Sequence, residues 1–424
     1  MDSKGIMTRC IPYPFIFIML TRMWELDLAG CLINILAAAG LFMLLYKLSV
    51  RQMAYEKHIE DTGFYMEQMV RSFRRNHKIR MALADVALIS EGTLLLKVTE
   101  AQQSLEGTIE QEDIFRASLR FVEDFYGCRL MSMIHVFMIR VEEEGGECDL
   151  TMDALLAQVR SWKYEQRLWH NRRLSIRTKL CFSVFMACLV ITACLKMIPG
   201  ASSVQGSLFY RILLAAGLLL FQLMVLCFNY LPFRQGKEKD KRKEDSEIDK
   251  LYEGLRSKYK GFKYQKTCRT LEKLIRIHFP EWLFDIALRL QTENVATAIS
   301  NSLEASPKVL REPLCRLIHA LEENPVSLQA YMAFTDELNL PEIRSAMLQL
   351  HAVNDMGKDE IQQQISLILQ DNMKLEDDAR NIQLEDAASL SGMLAAIPMF
   401  EAVVIMIVVM GSVMLTFLSQ MNTL

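Results

Sequence analysis

The sequence predicts an all-α polytopic membrane protein with four transmembrane helices and two cytoplasmic helical-bundle domains. Four apolar segments are long enough to cross a bilayer, and apolar residues elsewhere recur at helical spacing. No stretch alternates in the manner of a half-buried strand. Because 51% of the 424 residues are hydrophobic and 23% are charged, we expect apolar spans separated by charged domains.

The four predicted spans meet the length that a bilayer core requires, roughly 20 apolar residues in a helix. Each contains a polar or charged side chain: Asn34 in the first, Lys196 near the end of the second, Gln222 in the third and Glu401 in the fourth. We expect Asn34 and Gln222 to be structural and to hydrogen-bond between helices. In chain order the spans run over 28–46, 180–198, 208–231 and 393–418.

The orientation of the spans follows from the positions of lysine and arginine, which stay on the cytoplasmic side. A basic cluster follows the third span at 234–243, and the loop 199–207 between the second and third spans holds no charge. The loop is therefore predicted outside, with long cytoplasmic segments on either side. The cluster before the second span is Arg160, Lys163, Arg167, Arg172, Arg173, Arg177 and Lys179.

This orientation defines the predicted domains. The stretch IPYPFIFIML at 11–20 is too short to span; it is an interfacial anchor, or the chain starts later, at Met7 or Met23. Outside the spans, the segments are an extracytoplasmic segment 1–27, a first cytoplasmic helical domain 47–179, the outside loop 199–207, a charged linker 232–250, a second cytoplasmic helical domain 251–392 and an outside tail 419–424.

Prolines mark the helix boundaries in the second domain. Ser306-Pro307 predicts an N-cap followed by a first-turn proline, and Asn324-Pro325 and Leu340-Pro341 predict later boundaries. A long helix follows, with Ile365 and Ile368 on its apolar face and Glu376 on its polar side.

The two domains resemble each other. In each, a helix ends near a glycine, at Gly145 or Gly146 in the first and at Gly357 in the second, and a long charged helix then leads into a span. The stretches RLMSMIHVFMIRVEEEGG and EIRSAMLQLHAVNDMG both end at these glycines. We therefore expect a duplicated module of helical domain plus span.

No catalytic, metal or cofactor motif is found in the sequence. The ten cysteines form no CxxC pair, and the seven histidines are dispersed without HxxxH or HExxH spacing. GxxxxGK[ST] and GxSxG are absent, and the net charge is only -3. We therefore expect reduced structural thiols and no enzymatic activity, cofactor, metal or nucleic-acid partner.

Four stretches carry a resemblance to a known family: FPEWLFDIALRL, SPKVLREPLCRLIHALEENP, LPEIRSAMLQLHAVNDMG and DDARNIQLEDAASL. In these stretches the chain resembles the type II secretion protein F family, in particular the platform proteins of Tad/Flp-type pilus systems. The resemblance covers roughly residues 60–420, and the region 64–105 departs from it. Two copies in one chain also differ from Tad systems, in which two shorter platform proteins are common.

The resemblance implies a non-enzymatic platform in the inner or plasma membrane. The implied partners are a hexameric cytoplasmic secretion ATPase, pilin-like subunits, a second copy or a paralogous platform protein, and membrane lipid. The candidate partner-contact residues are Arg172, Arg173, Arg177, Lys179, Gly145, Gly146, Gly357 and Glu401.

For the basic candidates as a group and for Glu401, more than one role is open. The basic residues before the second span contact the ATPase, or they set topology and bind anionic lipid. Glu401 pairs with the charged terminus of a pilin or bonds to a neighbouring span. It lies instead at the cytoplasmic interface if the fourth span begins near Pro398.

A different class of function stays open: a small-solute transporter or channel with large cytoplasmic regulatory domains. Transporters typically contain paired broken helices with polar sites near the bilayer midplane. Only Asn34, Gln222 and Glu401 are candidates for such sites in this sequence.

Overall fold

The computed structural model describes residues 12–107, 114–145, 149–197, 208–234, 241–256, 261–356 and 358–421. Every regular element in these ranges is a helix, which confirms the all-α prediction. Two short 3₁₀ turns, Ala333–Thr335 and Val353–Asp355, accompany the α-helices.

The α-helices are numbered in chain order. They are α1 (Pro12–Met23), α2 (Leu28–Asn76), α3 (Ile79–Ile89), α4 (Gly92–Gly107), α5 (Ile114–Tyr126), α6 (Arg129–Glu144), α7 (Asp149–Met197), α8 (Leu208–Arg234), α9 (Lys241–Leu255), α10 (Phe262–Arg289), α11 (Val295–Ser302), α12 (Lys308–Glu323), α13 (Leu328–Met332), α14 (Pro341–Ala352) and α15 (Lys358–Met421).

The chain folds as two compact units. The span unit comprises Met1–Lys57, Arg167–Glu238 and Asp386–Leu424. The bundle unit comprises His58–Gln166 and Lys239–Glu385.

Four helices in the described part of the chain are long and apolar enough to cross a membrane. They contain the four predicted spans, apart from position 198, which lies outside the described residues. The predicted sidedness and domain boundaries stay predictions. The candidate spans are Leu28–Asn76, Asp149–Met197, Leu208–Tyr230 and Gly392–Leu418.

The longest helices pass through the predicted domain boundaries without a break. The prediction that one helix runs through the basic segment into the second span is confirmed, because α7 extends over 49 residues. Helix α15 extends over 64 residues and accommodates Pro398 inside it. A proline lacks the N–H for one backbone hydrogen bond, yet the helix does not end there.

Within the span unit, α1 and α15 both run parallel to α7. The hydroxyl of Tyr13 donates to Cys181 Sγ (3.7 Å), and Trp24 Nε1 donates to Thr192 Oγ1 (2.9 Å). Both pairs are 168 residues apart, so α1 lies along the segment of α7 that forms the predicted second span. Helix α15 follows α7 similarly: the hydroxyl of Ser183 donates to the Ala395 carbonyl, and the thiol of Cys194 donates to Met406 Sδ (3.1 Å).

In the bundle unit, each helix buries one apolar face in a shared core. Trp282 of α10 is central to it: its ring stacks on Phe334 with centroids 5.9 Å apart, and its Nε1 donates to the Ser302 hydroxyl (2.9 Å). Burying a large aromatic side chain is favourable, and the hydrogen bond satisfies its only polar atom.

The proline boundaries were predicted correctly at two of three positions. Helix α12 ends at Glu323, just before Asn324-Pro325, and α14 begins at Pro341. The predicted N-cap at Ser306 is wrong: Pro307 has an extended ψ of 139° and occupies the cap position itself. The Ser306 hydroxyl instead donates to the Leu303 carbonyl (2.7 Å).

The first half of the bundle unit contains a buried polar network. The hydroxyl of Tyr65 lies 3.0 Å from His135 Nε2, and His135 Nδ1 lies 2.6 Å from Glu123 Oε1. The hydroxyl of Ser132 donates to the other carboxylate oxygen of Glu123 (3.0 Å). Burial opposes ionisation of Glu123, but the hydrogen bonds and the positive potential of His135 outweigh it, so the pKa of Glu123 is lowered.

Candidate functional site

The basic candidates on α7 separate into packed and exposed side chains. The guanidinium of Arg173 lies 5.6 Å from the ring centroid of Tyr55, and Arg177 Nη1 donates to Gln52 Oε1 (3.4 Å). Both contacts are made to α2 within the span unit, so these two residues hold two helices together. Arg172 is half-buried, and Lys179 is exposed.

Of the three candidate glycines, only Gly145 lies in the described residues. It ends α6 with a φ of 74°, and its N–H donates to the Val141 carbonyl (3.0 Å). A side chain at this φ would be strained, so glycine has a structural role at this helix end. Gly146 and Gly357 lie outside the described residues.

Glu401 lies inside the candidate span Gly392–Leu418. Both of its carboxylate oxygens are buried and have no hydrogen-bond partner among the described residues. Gly217 of α8 faces the same place: an added Cβ there would lie 2.8 Å from Ile405 Cδ1 and 4.0 Å from Glu401 Oε1. The close approach of α8 and α15 at Gly217 therefore encloses a carboxyl group whose two oxygen atoms have no hydrogen-bond partner among the described residues.

Of the two polar residues expected to bond between helices, Gln222 does so, whereas the side chain of Asn34 bonds within its own helix. The side-chain amide of Gln222 donates to the backbone carbonyl of Asn34 (3.3 Å) and joins α8 to α2. Asn34 Nδ2 donates to the Gly30 carbonyl one turn earlier (2.9 Å). The predicted structural role of these two residues is consistent with these contacts.

A cavity of about 270 Å³ lies within the bundle unit among α6, α7, α10 and α15. Its walls mix aromatic, apolar and charged side chains. The salt bridge between Arg129 and Glu281 (3.1 Å) lies at this cavity. The side chains that matter for its electrostatics are Gln158, Glu165, Glu376 and Arg380.

Glu376 is the unusual group of this cavity. Its half-buried carboxyl accepts a hydrogen bond from Gln158 on α7. Burial, reinforced by the negative charge of Glu165, raises the pKa of Glu376 to about 7. The sequence placed Glu376 on the polar side of α15, and that placement missed its burial because α7 packs against this side.

In the described part of the chain, no group of three or more His, Cys, Asp and Glu side chains is arranged to hold a metal. The described residues bring together three polar arrangements: the partnerless carboxyl group of Glu401 in the span unit, and the Glu376 cavity and the Tyr65–His135–Glu123 network in the bundle unit.

Comparison with known proteins does not assign the chain to a family. No family model, no curated protein and no solved structure matches it. The class that the structure defines is therefore an all-helical chain with four candidate membrane spans.

We predict that Glu376 makes stability depend on pH. Its folded-state pKa of about 7 exceeds the ordinary value of about 4.3, so the folded state holds this proton more tightly. Stability therefore falls as pH rises through this window, by on the order of 2 kcal/mol, and Glu376→Gln removes this loss. Thermal unfolding midpoints of detergent-solubilised protein between pH 5 and 8 measure the effect.

The matched control is Asp378→Asn, which removes an exposed carboxylate half a turn further along α15. This variant should keep the pH dependence of the wild type. Parallel curves for the wild type and Glu376→Gln would contradict the assignment.

We also predict that removing the partnerless carboxylate in the fourth span stabilises the span unit. A carboxylate within a transmembrane helix costs roughly 2.5–3.5 kcal/mol on insertion scales. Glu401→Leu should therefore raise the thermal unfolding midpoint in detergent by several degrees, whereas the exposed Val404→Leu should leave it unchanged. A lower midpoint for Glu401→Leu would indicate that the carboxylate bonds to a neighbouring helix.

Proposed function

We propose that this chain is a non-enzymatic platform protein of the inner or plasma membrane in a type II secretion or type IV (Tad/Flp) pilus assembly machine. In this role it couples a cytoplasmic secretion ATPase to the insertion of pilin-like subunits. The proposal is supported by two helical segments with similar burial patterns, each of which continues, through α7 or α15, into a candidate span.

The burial pattern of α3 and α4 supports a duplication. Each buried residue of this helix pair is matched by a buried residue 216 positions later in α11 and α12 or the turn between them. The matched pairs are Ile79 and Val295, Ala82 and Ala298, Leu83 and Ile299, Val86 and Ser302, Ser90 and Ser306, Leu94 and Leu310, Val98 and Leu314, Ala101 and Leu317, and Leu105 and Leu321.

Five of the seven buried residues of α6 support it as well, because each is matched by a buried residue 212 positions later in α14 or at Val353 just after it. In the span unit, the contacts of Ser183 with Ala395 and of Cys194 with Met406 also join residues 212 positions apart. Helices related by a pseudo-twofold axis meet at equivalent positions, as these contacts do. The buried pairs are Met131 and Ile343, Ile134 and Ala346, His135 and Met347, Met138 and Leu350, and Val141 and Val353.

The partnerless carboxylate gives the platform a way to receive a pilin-like subunit. When it is ionised, the Glu401 carboxylate offers hydrogen-bond acceptors and one negative charge in a candidate span. An α-ammonium group at the start of a pilin-like helix supplies the complementary donors and charge, and their attraction is strong away from water. We therefore assign Glu401 to subunit capture.

The proposed ATPase contact uses the basic residues of α7, of which Lys179 is exposed and Arg172 is half-buried. Arg173 and Arg177 contact α2, and reversing Arg173 would also disturb its contact with Tyr55. Lys179 is therefore the sharpest target, and Arg172 is reversed together with it.

The test of this function is affinity purification from detergent-solubilised native membranes with mass spectrometry. The wild type should recover a secretion-type ATPase and pilin-like subunits. The double variant Arg172→Glu and Lys179→Glu should recover several-fold less ATPase, because exposed ion pairs contribute about 0.2–1 kcal/mol each. Lys266→Glu, a reversal of an exposed lysine on α10, should recover as much as the wild type.

The alternative function is transport of a small solute, which an ionisable residue within a span also fits. Purification of the wild type without ATPase and pilin-like subunits, together with a rise in the unfolding midpoint on adding a small solute, would favour transport. Equal ATPase recovery from the wild type and the double variant would instead assign the basic residues to topology and lipid.

The proposed duplication makes a further prediction about the buried network of the first half. Phe279 lies 214 positions after Tyr65, and Thr335 and Met347 lie 212 positions after Glu123 and His135, so we take them as the counterparts in the second half. His135→Met alone should lower the free energy of unfolding by about 1–3 kcal/mol, because it leaves buried polar groups without partners.

Adding Tyr65→Phe and Glu123→Thr should recover most of that loss. The triple variant then has at these three positions the same residue types that pack together in the second half. Denaturation midpoints of the four proteins, including Glu123→Thr alone, measure the coupling. Losses that simply add would contradict the correspondence between the two halves.

A further inference from the structure

From the structure we infer that a face of the first helical half binds a basic amphipathic helix from another protein. The site, named here the α4 face, consists of Leu88, Ile89, Thr93 and Leu96 at the junction of α3 and α4. The inference concerns the bundle unit alone and holds whether or not the chain is a secretion platform.

In the second half, the corresponding face lies on α12 and is covered by another helix. Helix α9 packs on α12, where the hydroxyl of Tyr252 donates to the Val309 carbonyl (2.5 Å). Ion pairs join Asp249 to Lys308 (2.7 Å) and Arg256 to Glu312 (2.8 Å). The residues that α9 buries are spaced for one face of a helix and are Ile248, Tyr252 and Leu255.

The corresponding face in the first half has no such cover among the described residues. Val309 is buried, whereas its counterpart Thr93 is exposed. Glu312 corresponds to Leu96, whose side chain is 63% exposed. The reason lies in the chain path: α2 runs unbroken over Leu28–Asn76, where the second half has α8, α9 and α10.

Two exposed residues of this face, Leu88 and Leu96, are apolar, whereas the corresponding residues of the second half are charged. Leu88 is 84% exposed and Ile89 is 52% exposed, beside Leu96. The positions that correspond to Leu88 and Leu96 in the second half carry Glu304 and Glu312. Contiguous exposed apolar residues of this kind mark interaction sites in soluble domains.

The rim of the α4 face specifies the charge of its partner. Glu91 is exposed beside it. Lys97 and Glu100 form an ion pair with each other (2.7 Å), so Glu91 supplies the net negative charge of the rim. An apolar face with an acidic rim favours a helix with apolar residues at i, i+4 and i+7 and flanking lysine or arginine.

A second copy of this chain does not supply that helix. The amphipathic helix that would fit is α9, and its apolar residues Ile248, Tyr252 and Leu255 are already buried in its own bundle unit. The occupant is therefore a helix of a different protein.

The test places a photo-crosslinking amino acid, p-benzoylphenylalanine, at Leu96 of the full chain in native membranes. The matched control carries it at Leu150, an exposed leucine (59%) at the start of α7. We expect a cross-link specific to Leu96, to a segment of another protein with the apolar spacing and basic flanks described above. Mass spectrometry of the cross-linked peptides identifies the segment.

The cross-linked segment is then synthesised as a peptide and titrated onto the detergent-solubilised full chain. Leu96→Glu should weaken its binding about tenfold, whereas Leu150→Glu should change it less than about twofold. Glu312 occupies the corresponding position in α12, so Leu96→Glu should fold, and an unchanged thermal midpoint checks this.

Three results would overturn the inference. They are no cross-link at Leu96 above the Leu150 control, a cross-link to this chain or to lipid, and a peptide whose binding is insensitive to Leu96→Glu.

Discussion

A helix in a bilayer must satisfy every backbone hydrogen bond within itself, and the rest of this structure follows from that constraint. It explains why the apolar segments form long helices, so that side chains alone supply polarity within the spans. The side-chain amide of Gln222 donates to the backbone carbonyl of Asn34 and joins α8 to α2. Glu401 has no hydrogen-bond partner among the described residues. An ionisable side chain without a partner in a candidate span is hard to explain by folding and is readily explained by binding, which is why Glu401 is central to the proposed function.

The bundle unit obeys a different constraint, the burial of one apolar face per helix. If the two halves descend from one module, the shared buried positions maintain the fold, and the differences between the halves mark later specialisation. Three differences are informative: helix α9 covers only the second half, the Tyr65 network occurs only in the first, and Leu96 stands where the second half has Glu312. The α4 face and the buried network are thus both places where the two halves differ.

Much of the fold was predictable from the sequence because its signals are local. Span length, apolar periodicity and proline at helix ends predicted the four apolar helices, the all-α class and the start of α14 at Pro341. The unbroken course of α7 also followed from the lack of any helix-breaking residue in it.

The features that could not be predicted from the sequence depend on which helices pack against each other. Nothing local indicates that Glu376 lies against α7, that Arg173 packs on Tyr55, or that α1 lies along α7. Ser306 was misassigned because a serine before proline fits an N-cap, while the backbone at Pro307 decides where the helix begins. The α4 face was equally inaccessible, because an amphipathic pattern does not reveal which side of a helix lacks a partner.

The account depends most directly on the sidedness of the chain: both helical segments on the cytoplasmic side and the loop between the second and third spans outside. Dual alkaline phosphatase and green fluorescent protein reporters, joined after residues 166, 203 and 385, measure this in bacterial cells. The account predicts fluorescence without phosphatase activity after 166 and 385, and phosphatase activity without fluorescence after 203. Phosphatase activity after 166 or 385 would place a helical segment outside, where no cytoplasmic ATPase can reach it, and would contradict the platform.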